Sequence, residues 1–261
     1  MNGLSLFSGI GGLDVALSPW VKPITYCEID PFCQGVLLSR MADESLCHGP
    51  LWDDITTLDG NIFRGAIDII YGGFPCQDIS IAGHGKGLEG ERSRLFFEIM
   101  RMAKESESNF IFLENVPAIT TRGGLQVVKT ITEMGYDCRW CIISAASVGA
   151  LHQRERWFLL AKLSGSRNNS SDGHADSKPS KQTDTETKPI PTIKAAWRGS
   201  PGQHWPFGSP KHWQETVSKM GKSSDGIPYH VDRIKALGNS VVPQQAKEAF
   251  KILMGIEKQK D

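Results

Sequence analysis

The sequence predicts an α/β fold, a mostly parallel sheet covered by helices on both faces. Three observations predict it. The first forty residues read as strand, glycine turn, helix, strand, helix. Short apolar runs, of the kind that fill buried parallel strands, then alternate with segments of helical periodicity. The residues that carry chemistry fall at the carboxyl ends of those runs, where an open α/β sheet places its ligands.

At 261 residues the chain can bury one good core with a smaller appendage. Apolar content of 39 % and charged content of 22 % are ordinary for a globular protein. Lys+Arg and Asp+Glu both number 29, which argues against a protein that coats nucleic acid but leaves room for a local basic cleft. No apolar run is long enough for a membrane span, and Met1-Asn-Gly-Leu-Ser-Leu-Phe7 reads as a first strand rather than a signal peptide. Six cysteines are too few for a disulfide scaffold of this length, so a reducing cytoplasm is the expected setting.

Leu4–Phe7 is the first strand. Gly9, Gly11 and Gly12 follow it, and would let backbone amides approach a ligand at the start of a helix over Leu13–Leu17. Their Gly-x-Gly-Gly spacing is not the dinucleotide pattern Gly-x-Gly-x-x-Gly. The second strand, Ile24–Cys27, ends in Glu28, placed to accept from ribose hydroxyls; a solvated strand end is the alternative. With the glycine turn, Glu28 favours an adenosine-type ligand, and Asp53-Asp54-Ile55 is a third candidate contact.

Ile67–Tyr71 is a buried strand expected to break at Gly72-Gly73 and to present Pro75-Cys76-Gln77 at its end. Proline would fix the backbone before the thiol, and the glycine-rich run 83–90 resembles a closing lid. Cys76 reads either as a nucleophile or as a buried cysteine at a strand–loop junction. Glu91–Glu105 is a helix whose Leu95, Phe96, Ile99, Met102 and Ala103 share one core face.

Phe110–Leu113 is the next buried strand. Glu114 follows it with an apolar strand behind, which should raise its pKa into the range of a general acid; a Glu satisfied by backbone amides is the alternative. Helix Gly123–Met134, strand Asp137–Ala146 and strand Trp157–Ala161 complete the sheet. Cys138 and Cys141 have metal-like spacing, but on a strand they point to opposite faces, so no metal is expected. Arg154 and Arg156 read as surface charge or as groups facing a polar ligand.

From Ser164 the composition turns to Ser, Asn, Pro, Gly, Lys and Thr. Residues 164–230 hold nine Lys/Arg against six Asp/Glu, with Trp197, Trp205 and Trp213 between prolines. That suits a nucleic-acid surface and a tryptophan-stapled mini-core equally. Gly238-Asn239 reads as a turn before a final helix reaching about Met254, which should return beside the first strand.

Taken in order, these motifs resemble the DNA cytosine carbon-5 methyltransferases, particularly short, phage-like members. Phe7-Ser-Gly-Ile-Gly-Gly12 looks like the family's S-adenosylmethionine turn, Glu28 its ribose-binding acid, and Asp54-Ile55 its adenine contact. Gly73-Phe-Pro-Cys-Gln77 is similar to the catalytic motif, Glu114-Asn115-Val116 to the glutamate motif, and Arg154-x-Arg156 to the paired arginines. Gly238-Asn239-Ser-Val-Val-Pro243 matches the closing motif.

The resemblance implies a Rossmann-like methyltransferase sheet with helices on both faces, formed by 1–163 and 231–261 around a small irregular target-recognition region, 164–230. It implies Cys76 as nucleophile, with Glu114, Arg154 and Arg156 as its catalytic companions. S-adenosylmethionine would be held by Phe7, Gly9, Gly11, Gly12, Glu28, Asp54, Ile55, Pro75, Leu95 and Asn239, and DNA touched by Gln77 and Ser80. The partner is double-stranded DNA with its target cytosine flipped out. A monomer is expected, in a bacterial or phage-infected cytoplasm, with a cognate restriction endonuclease. The family usually has Pro-Gln or Pro-His before the arginines; here stands Leu151-His152-Gln153. An RNA cytosine methylase shares every catalytic residue, and a vestigial cofactor-binding protein would share the pocket alone.

Overall fold

The computed structural model describes residues 1–74, 93–165 and 230–256. Seven strands form one sheet: β1 (Asn2–Leu6), β2 (Lys22–Cys27), β3 (Leu51–Trp52), β4 (Ile69–Gly73), β5 (Phe110–Asn115), β6 (Tyr136–Ser144) and β7 (Glu155–Leu163). Their order is β3-β2-β1-β4-β5-β7-β6. Pairings from β3 through β5 are parallel, whereas β7 runs antiparallel to both β5 and β6. β7 alone is therefore reversed. Six described helices accompany the sheet: α1 (Gly12–Leu17), α2 (Pro31–Ala42), α3 (Ser93–Ser106), α4 (Gly124–Glu133), α5 (His230–Asn239) and α6 (Pro243–Met254).

Strand alternation sends side chains to two cores. On one face Leu4, Leu6, Ile70, Ile111 and Leu113 meet the apolar stripe of α3 (Phe96, Ile99, Met102, Ala103) and Val127 and Ile131 of α4. On the other, Ile69, Tyr71, Phe112 and Phe158 meet Leu13 and Leu17 of α1 and Ala246, Ala249, Phe250 and Leu253 of α6. Phe112 stacks on Phe158 at 5.9 Å and meets Phe250 edge-on at 5.2 Å. Such pairs add about 0.5–1.5 kcal/mol beyond the area they bury. Cys138 packs with the first core and Cys141 with the second, as opposite strand faces require.

Two details depart from the sequence reading. Gly72 and Gly73 do not break β4 but complete it. A Cβ at Gly72 would strike the carbonyl of Leu6 on β1, and one at Gly73 would lie 2.7 Å from Glu114 Oε2. Close approach, not a turn, calls for glycine there. The final helix does return to the sheet, but it packs on α1, β6 and β7 rather than beside β1. Its Phe250 ring reaches Phe112 of β5 and Trp20, which follows α1.

β7 ends at Leu163 and α5 begins at His230, so the proposed target-recognition region lies, from 166 to 229, outside the described residues. Among the described residues no helix is long and apolar enough to cross a membrane.

Candidate active site

The carboxyl ends of the parallel strands open onto a cleft of about 1150 Å³. β1 delivers the glycine turn. Phe7, Gly9 and Gly11 all take positive φ (51°, 56° and 83°), a path that suits glycine. Ser8 locks the turn, its hydroxyl sharing a hydrogen bond with Ser5 Oγ at 2.9 Å and its amide donating to Cys27 O at 3.1 Å. Gly9 N donates to Glu28 Oε2 at 2.7 Å, and Asp30 N donates to Glu28 Oε1 at 2.8 Å. Glu28 is thus buried and braces the turn with the same carboxylate that faces the cleft.

The three glycines are not equivalent. Gly9 lines the cleft, and a Cβ there would meet nothing nearer than Phe7 O at 4.0 Å. Gly12 lines the cleft too, but its Cβ would press Val241 Cγ1 at 3.0 Å. Gly11 does not line it: a Cβ there would collide with Leu46 Cδ1 at 2.6 Å, inside the small core under α2. Packing and its positive φ both require glycine at position 11.

Opposite the turn stand Asp54, Ile55 and Leu95, all lining the cleft. Thr56 N and Oγ1 donate to Asp54 Oδ1 at 2.9 and 2.8 Å, which lowers the pKa of that carboxyl. The loop behind is held by Arg101 of α3, whose guanidinium donates to Ile55 O at 2.7 Å and Leu58 O at 2.9 Å. Glu98 and Glu105 each pair with Arg101 at 2.7 Å. The far rim comes from α5: Gly238 and Asn239 line the cleft, and Lys235 pairs with Asp30 at 2.7 Å across 205 residues of chain.

The chemical end of the cleft lies between β4 and β5. Arg156 Nε pairs with Glu114 Oε1 at 2.8 Å, with both side chains largely buried. Burial pushes the Glu114 carboxyl above its usual range, while the guanidinium of Arg156, and then that of Arg154, pull it back. Asn115 Nδ2 donates to Phe74 O at 3.0 Å and so fixes the chain two residues before Cys76. Pro75, Cys76, Gln77, Ser80 and the 83–90 glycine run lie outside the described residues.

Arg154 does not line the cleft. Its Nη2 donates to Gly238 O and Ser240 O, each at 2.7 Å, clasping the loop that carries Asn239. Its charge still reaches Glu114, whose carboxyl it helps to pull down. It precedes β7 and leans toward α5, while Arg156, inside the strand, turns to Glu114.

Several cleft groups were not anticipated from sequence. Ile29 is 68 % exposed although apolar, and it lines the cleft. Asp30 caps α2 through Phe32 N at 3.0 Å, with Pro31 at the first helical position, a signature that can be read in the sequence. Cys27 and Cys33 both line the cleft. Burial, then the charge of Glu28, pushes their thiols up to about 12 and about 11. Behind the turn, Asp14 accepts from Tyr71 Oη at 2.7 Å; burial raises its pKa to about 6, opposed by the Tyr71 and Ser5 hydroxyls.

A sheet with one reversed strand, a glycine turn braced by an acid, and a buried carboxyl paired to arginine define a methyltransferase-type site. The chain matches the C-5 cytosine-specific DNA methylase family over residues 1–200, and it belongs to that family. Two relatives are the type II methyltransferases M.CviJI of Paramecium bursaria Chlorella virus IL3A and M.HhaI of Haemophilus parahaemolyticus. The first is 37 % identical over 159 residues, covering 60 % of this chain and 42 % of its own. The second is 32 % identical over 162 residues, covering 60 % and 47 %. The chain thus spans less than half the length of each. The solved structure of Entamoeba histolytica methyltransferase EhMeth has the same fold, with a TM-score of 0.62 at 16 % identity over 99 % of each chain.

Proposed function

We propose that this protein transfers a methyl group from S-adenosylmethionine to carbon 5 of a cytosine swung out of double-stranded DNA. One observation carries the reading: the Glu114–Arg156 pair stands in the same cleft as the glycine turn and Glu28. The cleft fits the cofactor. Gly9 offers a cradle that a side chain would fill, Glu28 faces it with a carboxylate, and Ile29, Ile55 and Leu95 supply apolar walls. Gly9, Glu28 and Asn239 would hold the amino-acid and ribose parts, and Asp54 the adenine. When bound, S-adenosylmethionine supplies the electrophilic methyl group that carbon 5 takes. Cys27 and Cys33, pushed toward their neutral forms, are poor nucleophiles beside such an electrophile.

The chain's own groups divide the work. Cys76 as thiolate adds to carbon 6, forming a sulfur–carbon bond. The displaced electron pair moves through carbons 5 and 4 to ring nitrogen 3, which takes the proton of Glu114 and leaves an enamine at carbon 5. After methylation, a base removes the carbon-5 proton, the sulfur–carbon bond breaks, and nitrogen 3 returns its proton to Glu114. A carboxyl whose pKa is raised by burial is suited to hold that proton near neutral pH. Arg156 fixes the carboxyl and contacts the base oxygen. Covalent catalysis splits one hard step into easier ones, and extruding the base costs a few kcal/mol.

The division into a catalytic unit, 1–163 with 231–261, and a target-recognition region, 164–230, belongs to the same reading; the end of β7 and the start of α5 support it. So do a monomer, a cytoplasmic setting and a cognate endonuclease, the last suggested by the relatives' type II designation.

The test is trapping. Duplex DNA with 5-fluorocytosine at the target should form a covalent complex, because fluorine cannot leave as a cation and the sulfur–carbon bond stays. Cys76→Ser should trap nothing. An adduct that survives in Cys76→Ser would move the nucleophile elsewhere.

A further inference from the structure

Among the described residues three cations line the cleft: Arg122, Arg156 and Lys235. Two are occupied, Arg156 by Glu114 at 2.8 Å and Lys235 by Asp30 at 2.7 Å. Arg122 is exposed and pairs with no described residue.

Its backbone is well held. Arg122 N donates to Ile119 O at 3.1 Å, and Thr121 N to Ala118 O at 3.2 Å. The hydroxyls of Thr120 and Thr121 turn back onto Pro117 O and Ala118 O at 2.9 and 3.1 Å. Behind Arg122 the chain must pass through Gly123 at φ +118° and Gly124, where a Cβ would meet Ile119 O at 2.9 Å. The same 3-10 turn leaves β5 directly after Glu114 and Asn115. The sequence around it carries no acid from Asn115 to Thr132. Four carboxylates, Glu28, Asp30, Asp53 and Asp54, line the cofactor end of the cleft. Among the described residues, the end nearest Glu114 therefore presents a guanidinium without a carboxylate partner, in a segment with no acid from Asn115 to Thr132, which suits an anion.

We propose that Arg122 binds a backbone phosphate of DNA beside the extruded cytosine. This rests on the reading that the cleft acts on DNA. A nucleotide swung into the cleft brings its flanking phosphates to the rim, and a guanidinium pairs with phosphate through a planar fork. The contact positions the strand and carries no sequence information.

The experiment measures duplex oligonucleotide binding by fluorescence anisotropy from about 50 to about 200 mM salt. The proteins are the parent, Arg122→Gln, Arg122→Lys and Lys129→Gln. One phosphate contact contributes about 0.9 to the slope of log affinity against log salt. Arg122→Gln should flatten the slope by about 1, and weaken binding about 15-fold at 50 mM and about 4-fold at 200 mM. Arg122→Lys should keep most of the slope. Lys129, which faces Glu133 at 3.7 Å, should tolerate Gln with the slope unchanged. S-adenosylmethionine affinity by calorimetry should be the same in all four. Equal slopes for the parent and Arg122→Gln overturn the proposal while leaving the DNA reading standing. So does an equal loss in Lys129→Gln, which would make the effect one of general charge. A parent protein that binds no duplex overturns both.

Discussion

Replacing Gly9 and Gly11 separately by alanine should split two functions that look like one in the sequence. Both residues have positive φ, so each alanine carries about 1–2 kcal/mol of backbone strain. At Gly9 that is the whole folding cost, because the new methyl faces open cleft. At Gly11 the methyl arrives 2.6 Å from Leu46 Cδ1, with Leu37 Cδ2 at 3.4 Å. Overpacking of this kind adds about 1–3 kcal/mol. Urea unfolding should therefore show Gly9→Ala less stable by about 1–2 kcal/mol and Gly11→Ala by about 2–5 kcal/mol. Calorimetry with S-adenosylmethionine should show the reverse ranking. Gly9→Ala should lose at least about tenfold in affinity, which is about 1.4 kcal/mol, because its methyl occupies the ligand's cradle. Gly11→Ala, measured where it is folded, should bind nearly as the parent does. If Gly11→Ala loses affinity with stability intact, the glycine geometry is wrong and the packing account falls with it.

Two further perturbations follow from the site. Asp14 titrates near 6 in the folded chain against 3.8 ordinarily, so the native state holds its proton more tightly. The stability this contributes is full below pH 3.8 and is lost as pH rises through 6, a fall of about 3 kcal/mol. Unfolding free energies of the parent and Asp14→Asn, compared across that window, should diverge by this amount; parallel curves would refute it. Arg154→Gln removes two charged hydrogen bonds, to Gly238 O and Ser240 O, and should raise the KM for S-adenosylmethionine while largely sparing kcat. Arg156→Gln should do the opposite, and steady-state methylation assays would expose a failure to separate.

The strands and their turns were legible because each buried strand repeats a local rule: a short apolar run ended by polar or glycine residues. Helix α3 was legible for the same reason, since its core face recurs at helical spacing. Helix α5 was not. Its Val231 and Leu237 are 75 % and 67 % exposed, leaving Ala236 as its described buried apolar residue, and Gly238 argues for a turn. Lys235 and Asp30 were invisible as a pair because nothing local links charges 205 residues apart. Gly72 and Gly73 were legible as special positions but misassigned, because glycine marks a turn and a close strand contact with the same letter.

The reversal of β7 explains why the two arginines were the hardest site residues to read. In a parallel sheet every strand ends at the ligand cleft, so candidates are sought at carboxyl ends. Glu114 obeys this at the end of β5. β7 is antiparallel to β5, so its beginning reaches the cleft, and there Glu114 lies opposite Phe158, close to Arg156. Residues two apart on a strand share a face, which would send Arg154 and Arg156 the same way. Arg154, however, stands one residue before the strand, where its backbone is taken by another element. Gln245 of α6, fully buried, donates through Nε2 to Arg154 O at 2.7 Å and to Ile143 O. That anchors the entry to β7 against the last helix and directs the Arg154 guanidinium to the carbonyls on either side of Asn239. One strand start thus serves both ends of the cleft: Arg156 holds the Glu114 carboxyl proposed as proton donor, and Arg154 holds the loop that carries Asn239.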